Sequence, residues 1–509
     1  MKTFIRLFSL LFALIITFSA VVSCNDNSGK KEYDDSTRVK RSKRTTTTVT
    51  TTSSNTTATP FGTQDKTHIS KLPEMDWDED VFYILGMAYK ANESSQYCNF
   101  EIWREKKDGS VLGDAVWARN ESLKKKYNFI VEQELVSDSY NEIQILYDTQ
   151  DDVYDLVIYR PDKALAHASS GYLLNLYDLN HIKTDHIAWN TSVNNDFFFN
   201  NALYFTSNYF LLQDKAMTSA LFFNNELPTR IAKESGATLP DIAKLTLDGK
   251  WTLEVFNGYV KTATTSASDS KNNIQRIGIA CDSTESFASF FYGSGAALSK
   301  NVNGKVQLVS PSFATTHRID IIGETLFDST LVKYPEAPKK TMSDVFAACD
   351  TIFYASHVHK LVSQDLGIMK DSFLLLPFPK YDVNQESYHN LVSPTASSVF
   401  AIPYTAADPD QISFYLQAIS EESVNTTYTA YIDSMVKHSH EEVEKKLASL
   451  VLSSQKFDIA ASLNPSGVYT MISKQIPEFK TNIYERLYNT KKQNIETALN
   501  EYLSKFENH

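Results

Sequence analysis

Between Val81 and Tyr159 the chain alternates between two hydrophobic periods, and this alternation restricts the fold more than any other stretch. Val81-Phe82-Tyr83-Ile84-Leu85 is a short apolar run suited to a buried strand, and Gly86 stops it. Leu112, Val116, Leu123 and Tyr127 then mark one face of a helix that carries Lys124, Lys125 and Lys126 at its end. Phe129-Ile130-Val131 reads as a second strand, Ile143 to Tyr147 as part of a second helix, and Tyr154 to Tyr159 as a third strand. A β-α-β-α-β order implies a parallel sheet with helices on its faces. In such sheets ligands collect at the carboxyl ends of the strands, which points to Gly86–Lys90 and to Tyr159-Arg160-Pro161-Asp162.

Ahead of this body stands a different kind of sequence. Lys2 and Arg6 precede an apolar run from Leu7 to Ala20, closed by Val21-Val22-Ser23-Cys24. A charged start, a short apolar core and a small residue before the cut describe an export leader, 1–23. The Cys after the small residue resembles the lipobox of bacterial lipoproteins, which implies acylation of Cys24 and attachment to the outer face of the cell membrane. Residues 24–74 read as a tether. Arg38, Lys40, Arg41, Lys43 and Arg44 could sit on anionic headgroups or simply be solvated, and Thr45–Thr59 is nearly all Thr and Ser. A flexible coil of about 45 residues has a span of roughly 35–40 Å.

Hydrophobic residues make up 42% of the 509, enough for a real core in two or three domains, and the net charge is −12. That balance argues against a nucleic-acid binder, which needs a basic stripe. With Cys24 lipidated, Cys98, Cys281 and Cys349 remain. They cannot all pair, and they show no CxxC spacing. Asp76-Trp77-Asp78-Glu79-Asp80 imitates the start of a calcium loop, but Val81 stands where the loop needs Gly and Met87 where it needs Glu.

Several stretches, in order, are similar to the sugar-binding (family 1) type of extracellular solute-binding protein of bacterial ABC importers. They are Ala118-Arg119-Asn120-Glu121, Tyr154-Asp155-Leu156-Val157, Gly171 to Leu176, Asn201 to Phe205, Phe223-Asn224-Asn225-Glu226, Asp248 to Thr252, Leu376 to Tyr381 and Ile402-Pro403. The resemblance implies an α/β, two-lobed periplasmic-binding-protein-like fold (type II), with mostly parallel sheets, flanking helices and a hinge. It implies a small-molecule solute, a carbohydrate, held between the lobes, and permease subunits as partners. On this reading lobe 1 is 75–195 plus 340–405, and lobe 2 is 196–339 plus 406–509.

A sugar-binding cleft needs aromatic faces and a few polar anchors. Tyr159 and Arg160 follow a strand, and Arg160 offers a rigid fork of donors; its alternative is a surface salt bridge. Trp189 either stacks on ligand or covers a core. Tyr209, Phe291 and Tyr292 before Gly293-Ser294-Gly295, and Phe353 with Tyr354 complete the candidates. Trp251 and Pro377 read as structural.

No catalytic residue, metal or cofactor is assigned. His438-Ser439-His440-Glu441-Glu442 lacks HExxH spacing, His357 and His359 are uninformative by themselves, and no GxSxG elbow or phosphate loop occurs. The competing reading is a lipid-anchored extracellular glycan hydrolase with a carboxylate pair.

Overall fold

The computed structural model describes residue 70 and residues 72–87, 101–264, 276–335, 341–361, 366–435 and 442–508. The leader, Cys24, nearly all of the tether, Cys98 and His438 to Glu441 lie outside the described residues.

Among the described residues, two larger sheets hold nine strands: β1 Asp80–Met87, β2 Phe129–Val136, β3 Leu156–Tyr159, β4 Ser219–Asn224, β5 Ile277–Cys281, β6 Val332–Lys333, β7 Thr351–His357, β8 Phe373–Leu376 and β9 Val399–Ala401. The first sheet has the order β9-β3-β1-β2 and the second β8-β4-β7-β5-β6. The helices that matter here are α1 Val111–Tyr127, α2 Ser139–Thr149, α3 Pro161–Ala168, α4 Leu253–Ala263, α5 Ser286–Gly293, α6 Pro409–Ser423 and α7 Tyr484–Ser504.

The first sheet follows from local signals. β1 is central and pairs in parallel with both β2 and β3. A strand covered on both faces must be apolar almost throughout, and β1 is buried from Ile84 to Met87. Ser110 starts α1 by accepting from the Gly113 N–H at 3.0 Å, and Lys124, Lys125 and Lys126 offset the negative end of its dipole. Asn128, at φ 54°, turns the chain out of α1 and straight into β2.

The stretches that carry the family likeness mostly have structural jobs. Asp155 ties β3 to β1 twice: its carboxylate accepts from the Tyr83 N–H at 2.7 Å, and its own N–H donates to the Tyr83 carbonyl at 2.9 Å. Arg119, fully buried, and Asn120 both donate to the Ile102 carbonyl, at 2.6 and 3.0 Å. Asn224 accepts from the N–H groups of Glu226 and Leu227, both at 3.0 Å, and so opens the next helix. Trp251, fully buried, donates from its indole to the Pro377 carbonyl at 2.9 Å, in keeping with its structural reading.

Two features correct the expected lobe boundaries. Thr351–His357 and Phe373–Leu376, expected in the first lobe, belong to the second sheet, where β7 pairs with β4 and β5 and β8 pairs with β4. The Pro409–Ser423 helix, expected in the second lobe, packs its Phe414 and Tyr415 rings on Trp77, Tyr127 and Phe129 of the first core. In both cases the burial pattern shows an element but not which of two cores it serves.

Two strand-like passages link the sheets. Thr206 pairs with Phe400, Thr218 pairs with Val392, and the Ser393 N–H donates to the Met217 carbonyl at 3.0 Å. Inside this crossing lies a buried ion pair, Lys215 to Asp214 at 2.6 Å, with side chains 1% and 0% exposed. Lys215 also donates to the Asn208 carbonyl at 2.9 Å, and Gln455 donates to the Asp214 carboxylate at 3.1 Å. α7 joins both cores: Ile495 packs in the second, Leu499 and the following Phe506 in the first.

The crossings also fix how the sheets are aimed. β4 begins at Ser219, opposite His357 at the carboxyl end of β7. β9 begins at Val399, opposite Tyr159 at the carboxyl end of β3. The link from Val392 to Val399 can span at most roughly 25 Å. Each sheet therefore turns the carboxyl ends of its parallel strands toward the same crossing.

Candidate functional site

The first wall of the site is a cavity of about 190 Å³ lined by Met87, Ser137, Asp138, Ser139, Tyr140, Arg160 and Lys163. Met87 ends β1, Ser137 to Tyr140 lead from β2 into α2, and Arg160 leads from β3 into α3. These are the positions at which parallel α/β sheets bind ligands.

Asp138 caps α2, accepting from the Asn141 backbone and side-chain amides at 3.2 and 2.7 Å. Arg160 holds Asp162 through two donors, Nε to Oδ1 at 3.0 Å and Nη2 to Oδ2 at 2.7 Å, which fixes the guanidinium plane. Lys163 lies 4.7 Å above the Tyr140 ring, and His167 stacks 4.1 Å from that ring. His167 also meets the Tyr159 hydroxyl through Nδ1 at 2.9 Å. Burial, then Lys163, pushes the imidazole down to about 4, so it is neutral at ordinary pH. The cavity thus offers hydroxyls, one carboxylate, an ammonium and a fixed guanidinium, a set suited to a polyhydroxylated ligand.

The second wall forms at the carboxyl ends of β5 and β7. Asp282 follows β5 and accepts from the Tyr354 hydroxyl at 2.8 Å and from the Ser356 hydroxyl. Glu285 accepts from the Tyr469 hydroxyl at 2.5 Å. His357 closes β7 with its ring stacked toward His359, 6.1 Å away. Burial lowers both imidazoles, His359 to about 3, against the opposing pull of Glu285 and Asp282 on His357.

The structure distributes the eight candidate ligand contacts unevenly. Arg160 lines the first wall, with Tyr159 fully buried directly behind it. Tyr354 has no exposed surface, yet its hydroxyl reaches Asp282 in the second wall. Tyr209 is half-buried at the crossing, its ring 5.7 Å from the Lys215 ammonium and 4.4 Å from Tyr428.

The other four are core residues, with no exposed surface in this structure. Trp189 donates to Gln417 at 2.9 Å and meets Phe400 edge-on. Phe291 packs against Tyr484, Tyr292 donates to Asp458 at 3.0 Å, and Phe353 sits among Phe223, Trp251 and Phe256. Large aromatics are the best filler of a core, so the most conspicuous rings in a sequence are the ones a fold tends to bury.

The candidate wall residues that sequence reasoning passed over are polar or charged: Ser137, Asp138, Ser139 and Lys163 on one wall, Asp282, Glu285 and Ser356 on the other. A signal was available. Each lies at or just past the carboxyl end of a parallel strand or at the start of the following helix, as Asp282 does directly after Ile277–Cys281.

No protein-family model matches the sequence, and no curated protein matches it. Among solved structures, an ABC substrate-binding protein from Listeria monocytogenes in complex with cycloalternan aligns over 82% of this chain and 99% of its own, at 10% identity and a TM-score of 0.51. UspC from M. tuberculosis covers 83% and 100% at 11% identity, also at 0.51. A sugar transporter from Rhizobium etli in an open conformation covers 84% and 99% at 11% and 0.51. The fold is that of a two-lobed solute-binding protein. This agrees with the expected fold class of mixed α/β lobes, largely parallel sheets and flanking helices.

No group of three or more His, Cys, Asp or Glu side chains placed to hold a metal occurs among the described residues, and no described helix is long and apolar enough to cross a membrane. Cys281 and Cys349 are free, with Cys281 buried.

Proposed function

We propose that this chain is a lipid-anchored extracellular binding protein that holds a sugar or oligosaccharide between its lobes and hands it to the permease of an ABC importer. One observation carries the reading: the parallel strands of both sheets end toward a common crossing, one wall bearing the Arg160–Lys163 cavity and the other the Asp282 cluster. Charges and hydroxyls on facing walls suit a ligand with hydrogen-bonding groups on every side. A ligand that bridges the walls stabilises the closed form over the open one, and the permease reads that form. Cys24 and the tether keep loaded protein near its partner by raising its effective concentration.

A thermal-shift screen against a sugar library tests the binding step. A sugar present at 100 times its Kd stabilises the fold by about 2.7 kcal/mol and is recovered unchanged. Recovery of cleaved sugar would instead establish the hydrolase reading. Cys24→Ala is expected to abolish lipid attachment and leave sugar binding intact.

A further inference from the structure

Three tyrosine rings gather on the first lobe outside the cavity. Tyr147, on α2, stacks on Tyr172 with centroids 3.9 Å apart and planes 20° apart. Tyr404 follows β9. Its backbone N–H donates to the Tyr172 carbonyl at 2.8 Å, and its ring sits 6.1 Å from that of Tyr147. Tyr404 is 56% exposed and Tyr147 and Tyr172 are half-buried, so the group opens to solvent. Among the described residues, no side-chain partner takes up the hydroxyls of Tyr147, Tyr172 or Tyr404.

The file of rings runs inward as well. Tyr172 lies 5.1 Å from His167, and His167 is stacked on Tyr140, which lines the cavity. His167 is buried, so the tyrosines are joined to the first wall by packing and form a separate surface of the same lobe. That surface carries carboxylates: Asp148 is exposed beside Tyr147, and Asp152 accepts from the Ala407 N–H at 3.2 Å, three residues past Tyr404. Such a border repels nucleic acid and anionic headgroups. A ligand with C–H faces for the rings and hydroxyls for the free phenols matches what is displayed.

We propose that Tyr147, Tyr172 and Tyr404 form a second carbohydrate-binding surface, which holds a glycan polymer on the first lobe while the cavity takes short sugars. The proposal rests on the reading of that cavity as a sugar site, and the platform is tested separately from it. Affinity electrophoresis of the full chain in gels containing glycogen, dextran, laminarin or xyloglucan reads the platform, because a polymer cannot be enclosed by the lobes. Calorimetry with di- to tetrasaccharides of the same linkages reads the cleft.

At least one polymer is expected to retard the wild type. Tyr404→Ala and Tyr147→Ala are expected to raise the Kd from the gels about tenfold, while Phe313→Ala, at an exposed position of the second lobe, leaves it within about twofold. Tyr404→Ala, at a largely exposed position, is expected to keep the wild-type melting temperature, which separates lost binding from lost folding. Absence of retardation by all four polymers would overturn the platform, as would equal retardation of wild type and Tyr404→Ala, or loss of retardation in Phe313→Ala. Calorimetry that detects no short sugar, with retardation intact, would count against the cleft reading alone.

Discussion

The two sheets are built on opposite principles. The first draws three adjacent strands, β1, β2 and β3, from one continuous stretch of chain and borrows only β9 from far away. The second interleaves strands from Ser219 to Leu376 in the order β8-β4-β7-β5-β6, with two antiparallel pairs among parallel ones. Where neighbours in sequence are neighbours in space, period and punctuation suffice, and both the strands and their carboxyl ends were legible. Where they are not, hydrophobicity marks strands without assigning them to a sheet. That is why Thr351–His357 and Phe373–Leu376 were expected in the wrong lobe.

The same contrast governs the site. Arg160 was named as a candidate because it follows a strand of the local sheet and carries a conspicuous side chain. Asp282 follows a strand of the interleaved sheet, and the small Ser137 and Ser139 of the local one drew no notice. Phe353 and Phe291 attracted notice as aromatics, yet their neighbours, Trp251, Phe256 and Tyr484, show them filling the second core. The stretches that identify the fold, such as Asp155 and Asn224, hold strands and helix starts in place, so they encode architecture rather than ligand.

The largest expected effect separates core from wall. Phe353→Ala is expected to cost about 3–5 kcal/mol in urea unfolding while any folded fraction keeps its sugar affinity. Unchanged stability with lost affinity would return Phe353 to the cleft. At the crossing, Lys215→Met leaves Asp214 buried without its cation and is expected to cost about 3–5 kcal/mol, because removal of one partner strands the other charge.

Acid is expected to weaken both lobes. His167 and His359 titrate below the ordinary histidine range when folded, so between their folded values and about 6.5 the unfolded chain binds more protons. Stability is therefore full above about pH 6.5 and falls as pH drops toward about 4, by roughly 3 kcal/mol for His167. His167→Phe is expected to flatten that slope in equilibrium unfolding measured from pH 4 to 7; an unaltered slope would mean that His167 is not buried neutral.

The smallest effect on stability belongs to Arg160→Ala. Its pair with Asp162 is only partly buried, with side chains 35% and 29% exposed, so less than about 1 kcal/mol is at stake. Sugar affinity is nonetheless expected to fall at least about tenfold by calorimetry. That inversion, a small stability cost with a large binding cost, is what distinguishes a wall residue from Phe353.

The central claim is that one ligand bridges two walls that move together. Spin labels at Ile145 on the first lobe and Phe313 on the second, both exposed, report the separation of the lobes by pulsed electron resonance, with Cys98 and Cys349 replaced by Ser. Addition of a sugar that raises the melting temperature is expected to shift the distance distribution toward a second, narrower population, and Asp282→Ala is expected to weaken that shift. A saturating sugar that leaves the distribution unchanged would contradict the account.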